Sequence, residues 1–360
     1  MSLKRVTYLI KEQSRNAAAY NRVRILAGGL KSNGVLTRIV FIPKYEERLV
    51  LYYCRYILLL IRCFCMFLVS SKESVFILYG EDMILKYLLM FPRRGLLISE
   101  RTEYSTYLYD NSLSPEHIAS IKKFENCLKS VDGMIVCSES LNNYYHTFCE
   151  KPFCIIPLVY EEGFLKRSTQ KDNHTIVYCG DMGGGKDGVD ILIKSYSLLC
   201  QDISDYRLIL IGGAGDSQVI TDLKRMTENL GISDKVFFTG WVGRDELPSY
   251  LENASLLVLS RPANKQAEGG IPSKLAEYLS TGRPVLTTKV GDLPLYFKHY
   301  QDIFFADPGS VEDFSDKMKE IIRNYTSSCA IGGRGYHAVK QFDGKIQSQK
   351  IINYLNALLG

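Results

Sequence analysis

The chain has 360 residues, of which 46% are hydrophobic and 11% aromatic, and its formal charge is +5. A chain of that length holds two domains of ordinary size more readily than one, and its apolar content excludes intrinsic disorder, a fibrous repeat or low complexity. The summed charge is too mild to mark a nucleic-acid binder.

The charge is unevenly placed. Residues 1–72 carry 13 Lys/Arg against 3 Asp/Glu, residues 73–165 carry 8 against 13, and residues 166–360 carry 23 of each. The whole excess therefore sits in the first fifth of the chain. Such a segment suits an anionic partner (a membrane face, a phosphate-bearing substrate or nucleic acid) or is simply a solvated face. The start, "MSLKRVTYLIKEQSRN", has too short an apolar core for a signal peptide.

In chain order, "RVTYLI" (5–10) reads as a strand, 17–32 as a helix stopped by Gly34, and "LTRIVFI" (36–42) as a strand. The run 49–71, "LVLYYCRYILLLIRCFCMFLVSS", is interrupted by Arg55 and Arg62 on one face. It fails as a bilayer crossing and reads as a core helix or an interfacial helix with one basic stripe. Strands follow at 74–80, 95–100 and 131–138, with helices at 82–91 and about 114–130 between them. This alternation means a parallel sheet covered by helices. The pattern breaks at 151–173, where a domain boundary is expected.

A second alternation has strands at 175–180, 206–213, 235–240, 255–260, 284–288 and 302–307. Helices are expected at 188–200, 216–230, 244–252, 272–281, 311–325 and about 345–358, and 261–271 reads as a loop. In such sheets ligands bind beyond the carboxyl ends of the strands. The ten cysteines are scattered, with no C-x-x-C pair and no histidine at zinc spacing. Neither a disulfide framework nor a structural zinc fits, and a reducing cytosol does. The five histidines lie on polar segments without a partner at catalytic spacing, and no G-x-S-x-G is present.

Two loops carry chemistry. In "YCGDMGGGKDGVD" (178–190), three glycines (Gly183, Gly184, Gly185) and Lys186 lie between a strand and a helix N-terminus, a composition suited to phosphate. In "EGGIPSKLAEYLSTGRPVLTT" (268–288), Pro272 suits the first position of a helix, and the amides of Gly270 and Ile271 precede it. Glu277 follows one to two turns in, and Gly282 ends the helix.

The second segment resembles the donor-binding signature of retaining glycosyltransferases of family 4, which have the GT-B fold. "YCGDMGGGKDGVDILIKSYSLL" resembles the family's donor loop and helix, and "VFFTGWVGRDELPSYLENASLLVLS" the strands and helix before the signature. "ENCLKSVDGMIVCSESLNNYY" and "IIPLVYEEGF" resemble the end of its first domain, so the match covers about 120–335.

The resemblance implies an α/β fold of two Rossmann-like domains whose parallel sheets face each other across a cleft. An acceptor domain would span 1–160, rejoined by a C-terminal helix at about 340–360, and a donor domain 165–335. It implies a nucleoside-diphosphate sugar donor, retention of configuration, no metal and no cofactor. The acceptor would be a glycan or lipid-linked oligosaccharide in bacterial surface polysaccharide synthesis. The protein would be cytoplasmic, peripheral on the inner leaflet through the basic 1–72 region, with no nucleic-acid partner.

Carried over by position, Lys186 neutralises the departing diphosphate beside Gly184 and Gly185. Gly269, Gly270, Ile271, Pro272 and Ser273 line the sugar and phosphate. Glu277 accepts from the ribose hydroxyls, and Trp241 and Val242 meet the base through their main chain. Two departures stand out. Glu268 and Glu277 are one residue further apart than the family's two glutamates, which put Gly269 in the first one's place; a bulge is expected to return Glu268 to the sugar. Asp181 stands where an arginine is usual, with Arg261 as a candidate substitute, and Glu103 stands in for the missing histidine of the first domain. A GT-B sugar-nucleotide epimerase or hydrolase, and a non-catalytic nucleotide-sugar binder, are the alternatives.

Overall fold

The structure is a computed structural model that describes residues 2–12, 18–44, 48–80, 83–108, 110–167, 171–183 and 185–360. It divides into two units. Unit 1 comprises Met1–Val159 with Phe342–Gly360, and unit 2 comprises Tyr160–Gln341.

Unit 1 alternates strand and helix: β1 (Arg5–Lys11), α1 (Ala18–Ser32), β2 (Leu36–Ile42), α2 (Leu49–Leu68), β3 (Ser74–Tyr79), α3 (Ile84–Met90) and β4 (Leu96–Arg101). It continues through α4 (Pro115–Leu128), β5 (Gly133–Val136), α5 (Glu139–His146) and β6 (Phe153–Ile155). All its ladders are parallel, in the order β2-β1-β3-β4-β5-β6. Because side chains alternate across a strand, Val6, Tyr8 and Ile10 enter one core while Leu9 enters the other. The first core includes Val23, Leu26 and Leu30 of α1; the second includes Leu59, Cys63, Met66 and Phe67 of α2. The segment 49–68 is thus a helix with Leu59, Cys63, Met66 and Phe67 buried, most of its exposed residues apolar and Arg62 exposed among them; contrary to the sequence expectation, it is long and apolar enough to cross a membrane by length and composition.

Unit 2 opens with β7 (Thr175–Asp181), α6 (Val189–Asp202), β8 (Arg207–Gly213), α7 (Ser217–Asn229), β9 (Val236–Gly240), α8 (Leu247–Asn253) and β10 (Leu256–Leu259). It closes with α9 (Lys265–Gly269), α10 (Lys274–Ser280), β11 (Val285–Thr288), α11 (Leu293–Tyr296), β12 (Phe304–Ala306), α12 (Val311–Arg323) and α13 (Tyr325–Val339). Its sheet is also parallel, ordered β12-β11-β10-β7-β8-β9. The chain winds outward from β7 in one direction and from β10 in the other, so the strand order reverses between these two neighbours. The crevice at that reversal is where open α/β sheets bind ligands.

The last helix, α14 (Gly344–Leu359), returns to unit 1 and packs on α1. A Cβ on Gly29 would strike the carbonyl of Gly344, and Ser348 Oγ donates to the Leu26 carbonyl at 2.8 Å, so the two helices cross almost backbone to backbone. Five elements depart from the sequence reading. The strand β6 lies inside the stretch 151–173 where the pattern breaks, α9 forms within the loop expected at 261–271, and α5, α11 and α13 occupy residues where no helix is expected. Gly332, Gly333 and Gly335 lower the helix propensity of α13. The glycines are there for contact: a Cβ at Gly332 would sit 2.5 Å from the Arg283 carbonyl group, and one at Gly335 would sit 2.5 Å from the Asp302 carbonyl oxygen.

Candidate active site

The carboxyl ends of β7 and β10 carry the two loops singled out above. The loop after β7 ends at Gly188, whose φ of 62° is left-handed and whose absent Cβ leaves room for the Ser260 carbonyl. Ser260 Oγ donates back to the Gly188 carbonyl at 2.7 Å. Next along the chain, Arg261 is wholly buried. Its Nη1 donates to the Gly270 carbonyl at 2.6 Å, its Nε reaches the Lys186 carbonyl at 3.5 Å, and the same Nε lies 3.7 Å from Asp187 Oδ1. One guanidinium therefore ties both candidate loops together, which its rigid fork of donors allows and a lysine would not. The substitute cation proposed for the missing arginine is an internal strut.

Asp187, which the sequence reading passed over, is the centre of charge. It is buried and ion-paired with Lys274 Nζ, and Tyr178 Oη donates to its Oδ2 at 2.9 Å. Burial opposes its ionisation, but Lys274 and Arg261, with the hydrogen bonds from Lys274 and Tyr178, hold its carboxyl below the ordinary value. Tyr278 Oη, on the next turn of α10, accepts from the Cys179 amide at 2.6 Å and so fastens α10 to the end of β7. Burial pushes the Cys179 thiol up to about 12, which leaves it an inert packing group.

Glu277 is half-buried on the same helix. Burial raises its pKa; Arg244 and Lys274 oppose that rise without cancelling it, and Glu161 adds to it. Arg244 Nη1 stands 3.8 Å from Glu277 Oε1, while its Nη2 donates to Glu161 Oε2 at 2.6 Å and its guanidinium lies over the Phe164 ring at 3.7 Å. Nothing in "GRDEL" announces Arg244 as part of this group, whereas Lys274 stands three residues before Glu277, one helical turn away on the same face.

The other expected residues fall as follows. Lys186 is half-buried in the β7–α6 loop, Gly185 accepts a hydrogen bond from Asn264 Nδ2 at 3.1 Å, and Gly184 lies outside the described residues. Gly269 and Gly270 are buried, and the amides of Gly270 and Ile271 make no hydrogen bond among the described residues. Pro272 does not open the helix: its carbonyl accepts from the Leu275 amide at 3.1 Å in a lead-in turn, Ser273 is the cap residue, and α10 starts at Lys274. Where a bulge was expected, Glu268 lies on the short helix α9, which Asn264 caps through the Ala267 amide at 2.8 Å. Glu268 is exposed there, with no side-chain partner among the described residues. Trp241 is exposed and Val242 half-buried, with the indole against Gly213 at the end of β8. A cavity of about 220 Å³ opens between the β7–α6 loop and Val219 and Leu223 of α7. In unit 1, Glu103 is exposed just beyond β4, and its carbonyl accepts from Tyr145 Oη at 3.0 Å. Among the described residues no group of three His, Cys, Asp or Glu side chains is placed to hold a metal ion.

Comparison with solved structures gives the class. The chain superimposes over 99% of its length on sucrose-phosphate synthase from Thermosynechococcus elongatus, with a TM-score of 0.77 at 12% identity and 99% of that chain covered. It does so over 98% of its length on Anabaena HepE in complex with UDP, with a TM-score of 0.72 at 15% identity and 100% of that chain covered. These likenesses show the fold, and the protein is an α/β protein of the GT-B fold. Residues 161–337, within unit 2, match the family described as glycosyl transferases group 1.

Two curated relatives match over part of the chain. Mannosylfructose-phosphate synthase of Agrobacterium fabrum is 28% identical over 158 residues, 42% of this chain and 34% of that protein. The GDP-mannose-dependent alpha-(1-6)-phosphatidylinositol monomannoside mannosyltransferase of Mycobacterium tuberculosis is 25% identical over 153 residues, 42% of this chain and 39% of that protein. The chain thus aligns with between a third and two fifths of these relatives' lengths.

Proposed function

We propose that the protein is a retaining, metal-independent glycosyltransferase that moves a hexose from a nucleoside-diphosphate sugar to a glycan or lipid-linked oligosaccharide. The observation that carries this reading is Arg261, which draws the Lys186 loop and the Gly270 loop to one point at the strand reversal. There the amides of Gly270 and Ile271 offer donors to a diphosphate, with Lys186 and Lys274 as the nearby cations. Fixed donors and cations aimed at the departing diphosphate stabilise the charge that develops as the glycosidic bond breaks. Glu277 accepts from the ribose hydroxyls, and the main chain at Trp241 and Val242 meets the base. Donor chemistry of this kind accords with the names of the relatives, one GDP-mannose-dependent and one structural neighbour solved with UDP.

Acceptor binding is assigned to unit 1, with Glu103 at the end of β4 as the candidate group there. Glu268, exposed on α9, is assigned to the transferred sugar. The work is assigned to the cytoplasm, where nucleotide sugars are made, and to bacterial surface polysaccharide synthesis. A thermal-shift series with UDP-, GDP- and ADP-sugars identifies the donor, since a ligand of the native state raises the melting temperature. Lys186→Ala and Glu277→Ala are expected to abolish transfer with that donor; transfer left intact in both would sink the site assignment. Release of free sugar or of an epimer without any acceptor would point to hydrolysis or epimerisation.

A further inference from the structure

More than half of the exposed large hydrophobic side chains among the described residues, ten of nineteen, fall between Leu49 and Val69. They are not scattered around α2. Val50, Ile57, Ile61, Phe64 and Leu68 recur every three to seven residues, so they form one stripe along a helix about 30 Å long. Leu58, which is 65% exposed, widens it. A contiguous apolar patch of that size on a folded surface marks an interaction site.

One border of the stripe is basic. Arg62 follows Ile61 on α2, and Arg48 stands at its start. Arg38 on the edge strand β2 feels both Arg5 and Arg62; partial burial together with these two like charges holds its pKa below the ordinary value. None of Arg5, Arg38, Arg48 and Arg62 has a carboxylate partner among the described residues, whereas Arg55 is paired with Glu12 at 2.5 Å. A cluster of like charges with no carboxylate partner among the described residues, beside an apolar stripe, is complementary to a surface that is anionic outside and apolar within.

We propose that α2 is an interfacial helix that lays its Val50–Leu68 stripe into the headgroup and acyl boundary of an anionic lipid bilayer, with Arg38, Arg48 and Arg62 on the lipid headgroups. The helix lies in the plane of the surface and does not cross it. Its other face, with Leu59, Cys63, Met66 and Phe67, is part of the unit 1 core, where the Phe67 ring stands 4.2 Å from that of Phe76. Withdrawing that face would empty the core. Amphipathic helices bind membranes in this way, by apolar area plus attraction of cationic side chains to anionic lipid.

This inference does not depend on sugar transfer, and the test needs no donor. The full chain is floated with vesicles of phosphatidylcholine and phosphatidylglycerol, and with vesicles of phosphatidylcholine alone. We expect binding to the mixed vesicles, its loss in Ile57→Glu/Ile61→Glu, and a weakening of roughly tenfold or more in Arg38→Ala/Arg62→Ala or in high salt. Of the ten cysteines only Cys54 and Cys65 are exposed, and both lie on α2. Their maleimide labelling in the wild type is expected to slow when mixed vesicles are added, a readout that needs no variant to fold. Wild-type protein that stays unbound, or labelling unchanged by vesicles, would overturn the proposal. So would binding retained in Ile57→Glu/Ile61→Glu, or a wild-type dimer in solution that these two changes dissociate.

Discussion

Lys274 and Asp187 form the ion pair on which the candidate site is built, and their worth can be measured. Their side chains are 17% and 9% exposed, so neither is well solvated. Removing one partner of a buried pair costs about 3–5 kcal/mol, chiefly because the other charge is left stranded. In Lys274→Met, Asp187 keeps the Tyr178 hydroxyl at 2.9 Å and Arg261 at 3.7 Å, which places the cost at the low end, about 3 kcal/mol. For a unit the size of Tyr160–Gln341 that is a fall in melting temperature of about 6–12 °C. Asp187→Asn leaves Lys274 and the buried Arg261 facing each other and should cost at least as much. The double variant should fall short of the sum by about 1–3 kcal/mol, since the two residues are in contact.

The pH dependence has a definite sign. A carboxyl whose folded pKa is lowered contributes stability that is present above its unfolded value, ordinarily about 3.9, and lost as pH falls through the lowered folded value. Acidification should therefore erode the wild type more than Lys274→Met, and the gap between their melting curves should close. Circular dichroism melts from neutral to acid pH supply the whole cycle. A shift below about 1 °C at neutral pH, or additivity within about 0.5 kcal/mol, would show that the pair is not coupled as described.

Arg283 is wholly buried, and it donates to the carbonyls of Glu252 and Lys171 and to the Tyr325 hydroxyl at 2.6–3.0 Å; Arg283→Lys, which loses the fork, should cost about 3 kcal/mol in a melting experiment. Gly332→Ala opposes two effects: alanine favours the helix by about 1 kcal/mol, but its Cβ would meet the Arg283 carbonyl group at 2.5 Å, so net destabilisation of about 1–3 kcal/mol is expected, and a stabilised variant would show that α13 can back away. Because the pKa of Glu277 is raised and an ionised carboxylate is the stronger acceptor for ribose hydroxyls, nucleotide affinity should weaken as pH falls through that raised value. Titration calorimetry on Glu277→Gln should find that slope removed, and an unaltered slope would assign the titration to another group.

The alternation of short apolar runs with helical periodicity was enough to read both parallel sheets, because fully buried strands such as β5 and β10 consist almost wholly of Val, Ile, Leu and Met. The two candidate loops were legible because glycine and proline mark the turns that follow the carboxyl ends of β7 and β10. The elements that escaped are those where contact outweighs propensity. The α13 helix carries glycines that a helix ordinarily avoids, and β6 has only three residues. The burial of Arg261 was not legible for a related reason: its place in a loop gives no sign of depth, and only the folded chain shows three oxygens converging on the residue expected as the substitute cation. Asp187 was hidden beside the more conspicuous Lys186, since no spacing rule announces a partner 87 residues away.

The return of α14 to α1 has a consequence for the order in which the protein is made. In sequence, unit 2 is an insertion between the first 159 residues of unit 1 and its closing helix. A ribosome must therefore deliver all of Tyr160–Gln341 before α1 receives the neighbour that covers Leu26 and the flat face at Gly29. Unit 2 has every strand it needs while synthesis is still under way, whereas unit 1 waits with an unfinished flank for the last turns of the chain. A nonsense codon after Gln341 would spare the sheet that carries the two candidate loops and leave unit 1 open along α1.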